Sequence, residues 1–214
     1  MSTFQRARSV EQKEQRLGDI KAAAAELFAS RPYHEITLTT IAEKLGWSRA
    51  NLYKYVTTKE EIFLSLSADL RDEYFAALLA ALPAGCGFSN DTIAEVWAGL
   101  ASAHREYFRY GDLLFSVIET NVSVDKLVEF KRGYYEALPV LRVQLGGVCG
   151  IPPEAMEAFL NTIYYHGVGL AGSCLNNPLV KEAVEKLGVT PAPIDFQSAM
   201  RDFVVMTLSW YQGK

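Results

Sequence analysis

A chain of 214 residues, half of them hydrophobic, can bury a substantial core in one large helical domain or in two smaller ones. Its net charge of −4 is uneven, with nine Lys/Arg against six Asp/Glu in residues 1–56 and twelve against nineteen in residues 57–214, the balance of a nucleic-acid-binding head on a body that leaves nucleic acid alone. No apolar stretch reaches the roughly 18–20 residues that span a bilayer, and the charged opening MSTFQRARSVEQKEQRLGD has no signal-peptide centre, so a cytoplasmic protein without membrane contact is expected.

Nearly every segment has helical period. Leu17, Ile20, Ala24, Leu27 and Phe28 mark the buried face of a first helix, which Arg31-Pro32 ends. In residues 37–61, TLTTIAEKLGWSRANLYKYVTTKEE, the positions Ile41, Ala42, Leu45, Gly46, Trp47, Leu52 and Tyr55 have the spacing of a helix-turn-helix core. Ala42 is small enough for a second helix to cross close above it. Gly46 can take the left-handed conformation that ends a helix, and Ser48 is a good N-cap for a second helix over 49–55. Thr58 with Glu61 three residues on is a capping-box pattern opening a long helix to about Leu82.

Pro83, Gly85 and Gly87 mark a loop. Helical signals resume at Asn90 and Asp91, with Ile93, Trp97, Leu100, His104 and Phe108 on one stripe until Gly111-Asp112. A short apolar helix over Leu113–Thr120 follows. A further helix starts after Asn121 with Leu127, Phe130, Tyr134, Leu138 and Leu141 inside, where Pro139 is expected to produce a kink or a stop. Gly146, Gly147, Gly150, Pro152 and Pro153 form a boundary. Residues 153–175 read as helix, Asn176-Asn177-Pro178 as its end, and the stretch with Pro191 and Pro193 as loose chain. Asp195 caps a last helix through Phe196, Met200, Phe203, Leu208 and Tyr211. The fold expected is all-α, with about nine helices and no strands.

The outer face of the second motif helix carries Arg49, Asn51 and Lys54, with Tyr53 beside them. Arginine's fork matches guanine O6 and N7, and asparagine matches adenine N6 and N7, each contact discriminating by about 1–3 kcal/mol. Lys54, Lys59 and Tyr53 suit phosphates, which position the protein and make affinity salt-dependent.

Ile36-Thr37-Leu38-Thr39-Thr40-Ile41-Ala42, Leu45-Gly46-Trp47-Ser48-Arg49-Ala50-Asn51-Leu52-Tyr53 and Thr58-Lys59-Glu60-Glu61-Ile62-Phe63 together resemble the TetR family of bacterial transcriptional regulators. The resemblance covers the N-terminal quarter well, and the remainder only in helix order and length. It implies a homodimer, two recognition helices on a palindromic double-stranded DNA operator, and a small-molecule effector bound in the body. Carried over residue by residue, Thr39 meets the backbone, Ser48, Arg49, Ala50 and Asn51 approach base edges, and Tyr53 and Lys59 hold phosphates. Lys54 and Tyr55 complete the expected DNA-binding set and stand where a tyrosine–histidine pair is common, while Ala50 replaces a frequent glycine and Val56 a usual phenylalanine. Trp47 is larger than the typical residue there. The operator sequence therefore cannot be carried over from the family.

The expected division is a helix-turn-helix domain at 1–58 and a helical ligand-binding and dimerisation domain at 59–214. Candidate pocket residues are Trp97, His104, Phe108, Phe115, Glu119, Tyr134, Tyr164 and His166, since ligand sites are mostly apolar with a few polar groups. The histidines have a second reading as hydrogen-bonded core residues, and the aromatics as simple core. An apolar or aromatic inducer is expected. Gly167-Val168-Gly169-Leu170-Ala171-Gly172 matches a dinucleotide-binding fingerprint, but helical period precedes it where a strand is required. Gly167, Ala171 and Cys174 instead give one helix a small-residue face. In the TetR-like reading that face, with Phe203 and Tyr211 of the last helix, forms the dimer interface.

Cys86, Cys149 and Cys174 are odd in number and far apart, which argues against a disulfide framework. The histidines lack metal-ligand spacing. Neither a metal nor a cofactor is expected. No paired nucleophile and base, HExxH, CxxC or P-loop points to catalysis, so an enzyme is not expected. The alternative to a repressor is a helical protein–protein adaptor that no longer binds DNA.

Overall fold

The computed structural model describes residues 3–173, 178–190 and 192–213. All regular structure among them is helical: α1 (Thr3–Ser30), α2 (Leu38–Leu45), α3 (Arg49–Leu52), α4 (Lys59–Ala81), α5 (Asn90–Ala103), α6 (Arg105–Leu113), α7 (Val124–Cys149), α8 (Pro153–Ser173), α9 (Pro178–Lys186) and α10 (Phe196–Gln212). A 3-10 turn at Tyr33–Glu35 and a π-helical segment at Leu114–Ile118 complete the order. The chain divides into two compact units, one of Met1–Asp69 with Leu114–Lys131 and one of Leu70–Leu113 with Arg132–Lys214. No helix among the described residues is long and apolar enough to cross a membrane.

In the first unit, α2 packs against α1 and α3. Ile20, Ala24, Leu27 and Phe28 of α1 are buried with Ile36, Ile41, Ala42, Leu52, Val56, Ile62 and Phe63. Phe28, Tyr33 and Phe63 meet edge to face, with centroids 5.0–6.5 Å apart, the geometry ring quadrupoles favour.

In the second unit, α10 lies along α5 and α8, and α6 packs on α8. Trp97, Phe108, Phe159, Met200 and Leu208 are buried at its centre. Polar side chains close the helix ends, where backbone groups lack intrahelical partners. Gln144 donates to the carbonyls of Leu79 and Leu82 at 2.6 and 2.9 Å. Gln212 exchanges amide hydrogen bonds with Asn90 and donates to the Cys149 carbonyl.

The all-α class expected from the sequence is what the structure has, with ten α-helices among the described residues where about nine were expected. The helix expected over 49–55 is regular only to Leu52, and the chain turns through 53–55. The stripe expected to run unbroken to Gly111 breaks at His104, whose φ of −103° and ψ of 35° leave the helical region. Gly111 does not break the chain. It is buried inside α6, where a Cβ would lie 2.6 Å from the Tyr164 hydroxyl and 2.5 Å from Val168 Cγ2. Pro139 neither ends α7 nor removes it from the helix; the carbonyl it leaves unpaired belongs to Tyr135, whose side chain is exposed, so water can take its place. The stretch read as loose chain after Pro178 contains α9.

Gly167 is pressed against Phe108, and a Cβ there would lie 2.4 Å from the ring. Phe108 is fully buried and cannot move aside cheaply. Gly167→Ala is therefore expected to destabilise the protein by about 1–3 kcal/mol through overpacking, despite better helix propensity. Gly99→Ala in α5, where nothing lies within 4 Å, is expected to stabilise it by about 0.5–1 kcal/mol. Urea denaturation of both variants gives the two signs.

Candidate nucleic-acid interface

The motif is built by local rules. Thr37 and Thr40 cap α2 reciprocally: the Thr37 hydroxyl accepts from the Thr40 N–H at 3.1 Å, and the Thr40 hydroxyl accepts from the Thr37 N–H at 3.0 Å. Gly46 ends α2 with φ 66° and ψ 27°, a conformation costly for a residue with a Cβ. The Trp47 N–H reaches back to the Ala42 carbonyl at 2.8 Å. Ser48 then caps α3, its hydroxyl accepting from the Asn51 N–H at 3.2 Å. Leu52 is wholly buried, which turns the rest of α3 outward.

Ser48, Arg49, Ala50 and Lys54 are exposed, Tyr53 is 49% exposed, and Asn51 and Thr39 are half-buried. Ser48, Arg49 and Ala50 form one short, solvent-facing segment, with the partly covered Asn51 next to them. Tyr55 differs. It is half-buried with its ring 5.8 Å from that of Trp47, and the Arg16 guanidinium lies 5.1 Å from the Trp47 centroid on its own account. Arg16 thus stands beside the turn as a cation that motif spacing did not reveal, because α1 brings it from 31 positions away.

Lys59, expected at a phosphate, is directed elsewhere. Its ammonium donates to the carbonyls of Tyr33 and Ile36 at 2.9 and 2.8 Å and sits 3.9 Å from the Tyr33 ring centroid. Burial lowers its pKa from the ordinary lysine value, against the opposing charge of Glu60. The Tyr33 hydroxyl donates to Glu60 at 2.9 Å, and burial together with that carboxylate raises the phenol's pKa. Lys59 is a tie between α4 and the 33–36 loop. The carbonyls it satisfies lie 23 and 26 positions earlier, so no local pattern could have announced them.

Of the candidate pocket residues, Trp97, His104, Phe108, Tyr134 and Tyr164 pack in or against one apolar cluster of the second unit, whereas His166, Phe115 and Glu119 lie elsewhere. In the second unit, Trp97 meets Phe159 edge to face, and Phe108 is wholly buried among Tyr74, Tyr107, Tyr164 and Phe196, so both are core. His104 packs near Tyr74 at 5.9 Å, and Tyr164 stacks on Tyr107 at 4.8 Å. Tyr134 donates to Asn161 at 3.4 Å, and burial raises its pKa to about 12. His166 lies flat on Phe203 at 3.6 Å between α8 and α10, away from that group, and burial lowers its pKa. Phe115 and Glu119 belong to the first unit; Phe115 is exposed and Glu119 pairs with Lys131.

The expected dimer residues also separate. Gly167 and Ala171 are buried within the protomer, so they cannot supply the outward face assigned to them. Phe203 is taken by His166, and Tyr211 packs on Phe159 with its hydroxyl 3.3 Å from that of Thr162. Cys174 lies outside the described residues. The exposed positions of these helices include Tyr165, Gly169 and Gly172 on α8 and Met206 and Trp210 on α10. Among the described residues no group of His, Cys, Asp and Glu is placed to hold a metal.

A capped helix-turn-helix joined to an all-helical body defines a transcriptional regulator. Residues 20–66 match the model of bacterial regulatory proteins of the tetR family, and residues 68–212 match the tetracyclin repressor-like C-terminal domain. The chain belongs to the TetR family, whose members are non-enzymatic regulators that bind DNA operators, typically as dimers, and respond to small molecules. In fold it is similar to a transcriptional regulator from Rhodococcus, with TM-score 0.60, 19% identity, and 92% of this chain and 97% of that one covered. It is likewise similar to a putative TetR-family regulator from Mesorhizobium loti, with TM-score 0.58, 16% identity, and 94% and 96% covered. No curated protein matches the chain.

Lys59→Met is expected to lower stability by about 1–3 kcal/mol, because two part-buried carbonyls lose their donor, and to leave the salt dependence of DNA affinity unchanged. Lys54→Ala is expected to change stability by less than about 0.5 kcal/mol and to reduce the slope of log affinity against log salt by about one. Denaturation curves and binding titrations across a KCl series separate the two roles.

Proposed function

We propose that this regulator is a cytoplasmic homodimeric repressor that grips a palindromic operator through two copies of α3 and lets go when a small apolar or aromatic inducer binds its body. Residues 1–58 are the DNA-binding head in this reading, and 59–214 the ligand-binding and dimerisation body. The observation that carries it is the outward segment Ser48–Asn51, held by a backbone cap at each side and by buried Leu52 beneath. Arg49 reads guanine and Asn51 adenine, while Thr39, Tyr53 and Lys54 lie on phosphates. Tyr55 and Lys59 support the motif from within.

The dimer forms on the outward face of α8 and α10, through Tyr165, Met206 and Trp210, with Gly169 and Gly172 allowing close approach. Tyr165 on α8 and Met206 and Trp210, four positions apart on α10, are 58–64% exposed and support this face. Two α3 helices set about 34 Å apart then enter successive major grooves. The inducer acts through α4, which follows the head directly in the chain and contributes residues to both compact units. A near-complete reversal of the DNA-bound population requires about 5.5 kcal/mol of difference between its affinities for the two states.

A gel-shift titration with the DNA upstream of the coding region tests the head. Wild type is expected to shift one fragment specifically. Arg49→Ala and Asn51→Ala are each expected to lose about 1–3 kcal/mol of preference for it over unrelated DNA. Equal binding of every fragment by wild type and variants would refute base readout by α3. Sedimentation of Trp210→Glu tests the dimer face: a shift to monomer is expected, and an unchanged dimer would place the interface elsewhere.

A further inference from the structure

Arg71 of α4 is the only charged residue that is buried among the described residues, at 5% exposure. Its Nε and Nη2 donate to a single carboxylate oxygen of Asp72, at 2.9 and 2.8 Å. Asp72 itself stands mostly in solvent. The guanidinium rests on the backbone of α7 at Gly133, where a Cβ would lie 2.5 Å from Nη2.

Around it are phenols. Tyr74, Tyr107 and Tyr164 stack in a column with centroids 5.0 and 4.8 Å apart, and Phe75 and Tyr134 flank it. Tyr74 lies one turn along α4 from Arg71, and Tyr134 follows the Gly133 on which the guanidinium rests; burial raises the pKa of Tyr107, against the charge of Arg71. Burial likewise raises the pKa of the Tyr74 hydroxyl, and the Trp97 indole N–H is enclosed in the same core cluster. Neither makes a hydrogen bond of normal geometry, although both are buried. All these residues belong to the second unit.

We propose that the second unit binds an aromatic carboxylate, with the carboxylate on Arg71 and the ring against the tyrosine column. The idea rests on reading the body as an effector domain and assigns the effector a charge. A guanidinium fork matches a carboxylate through two parallel hydrogen bonds, and a buried cation needs a close anionic partner. Asp72 supplies one through a single oxygen and, being in solvent, loses little when displaced. A planar acid offers both oxygens and adds ring area to the column. A neutral arene fills the same apolar surface but offers the guanidinium no anion. Tyr134, Asn161 and Tyr164 are half-buried, so this part of the column is not sealed from solvent.

The test is calorimetric titration of the full chain with benzoate, 4-hydroxybenzoate, phenylacetate and indole-3-acetate, each beside its neutral amide. At least one acid is expected to bind about 10- to 100-fold more tightly than its amide. Asp72→Asn is expected to tighten the acid several-fold by removing its competitor. Arg71→Gln is expected to abolish the preference for the acid while binding of the amide persists, which also shows that the variant is folded. Equal binding of acid and amide by wild type, no acid binding at millimolar concentration, or an undiminished preference in Arg71→Gln would overturn the proposal. A parallel gel shift separates the two readings. Specific DNA binding with no acid binding sinks only the effector class, and acid binding with no specific DNA binding sinks the regulator's proposed action but leaves the site.

Discussion

The hydrogen bond from the Trp47 N–H to the Ala42 carbonyl, made across a left-handed Gly46, sets the direction of the chain after α2. A residue with a side chain would resist that conformation by about 1–2 kcal/mol, so glycine decides the angle between the two motif helices. Ser48 starts α3 at once and Leu52 anchors it one turn later. With both ends fixed within five residues, Arg49, Ala50 and Asn51 have no direction left but outward. The capability to read bases follows from a backbone constraint.

The cations of the head divide between holding it together and facing out. Lys21 pairs with Asp69, Lys44 with Glu26, and Lys59 with two carbonyls. Arg49 and Lys54 remain on the outer surface beside the turn. A modest formal excess of positive charge in residues 1–56 is therefore a poor measure of what DNA would meet. The position of each charge matters more than the sum, since a lysine committed to carbonyls releases few counterions from a phosphate chain.

What was legible in the sequence was what is local. The α2 cap, the Gly46 turn, the Ser48 cap and the buried face of α1 depend on residues within one or two turns of each other, and periodicity exposes them. The body was legible only as helices. Gly167 reads as a small residue fit for a partner helix, which it is, but the partner is Phe108 of the same protomer rather than a second copy. His166 and Tyr164 sit two positions apart and face different neighbours, Phe203 and Tyr107. Arg71 looks like one more charge on an amphipathic helix, and only the arrival of Gly133 and the tyrosine column reveals its burial. Contacts that join residues dozens of positions apart leave no spacing to read.

If α3 is the reading element of a two-fold symmetric regulator, its geometry must reappear in the DNA it chooses. Selection of bound sequences from a random duplex pool tests that most directly. The account predicts an enriched palindrome whose half-site centres lie about 10–10.5 base pairs apart, or a multiple of that, with a guanine and an adenine fixed in each half. A pool that stays random after repeated selection, or a selected site with no symmetry and no response to changes at Arg49 and Asn51, would contradict it.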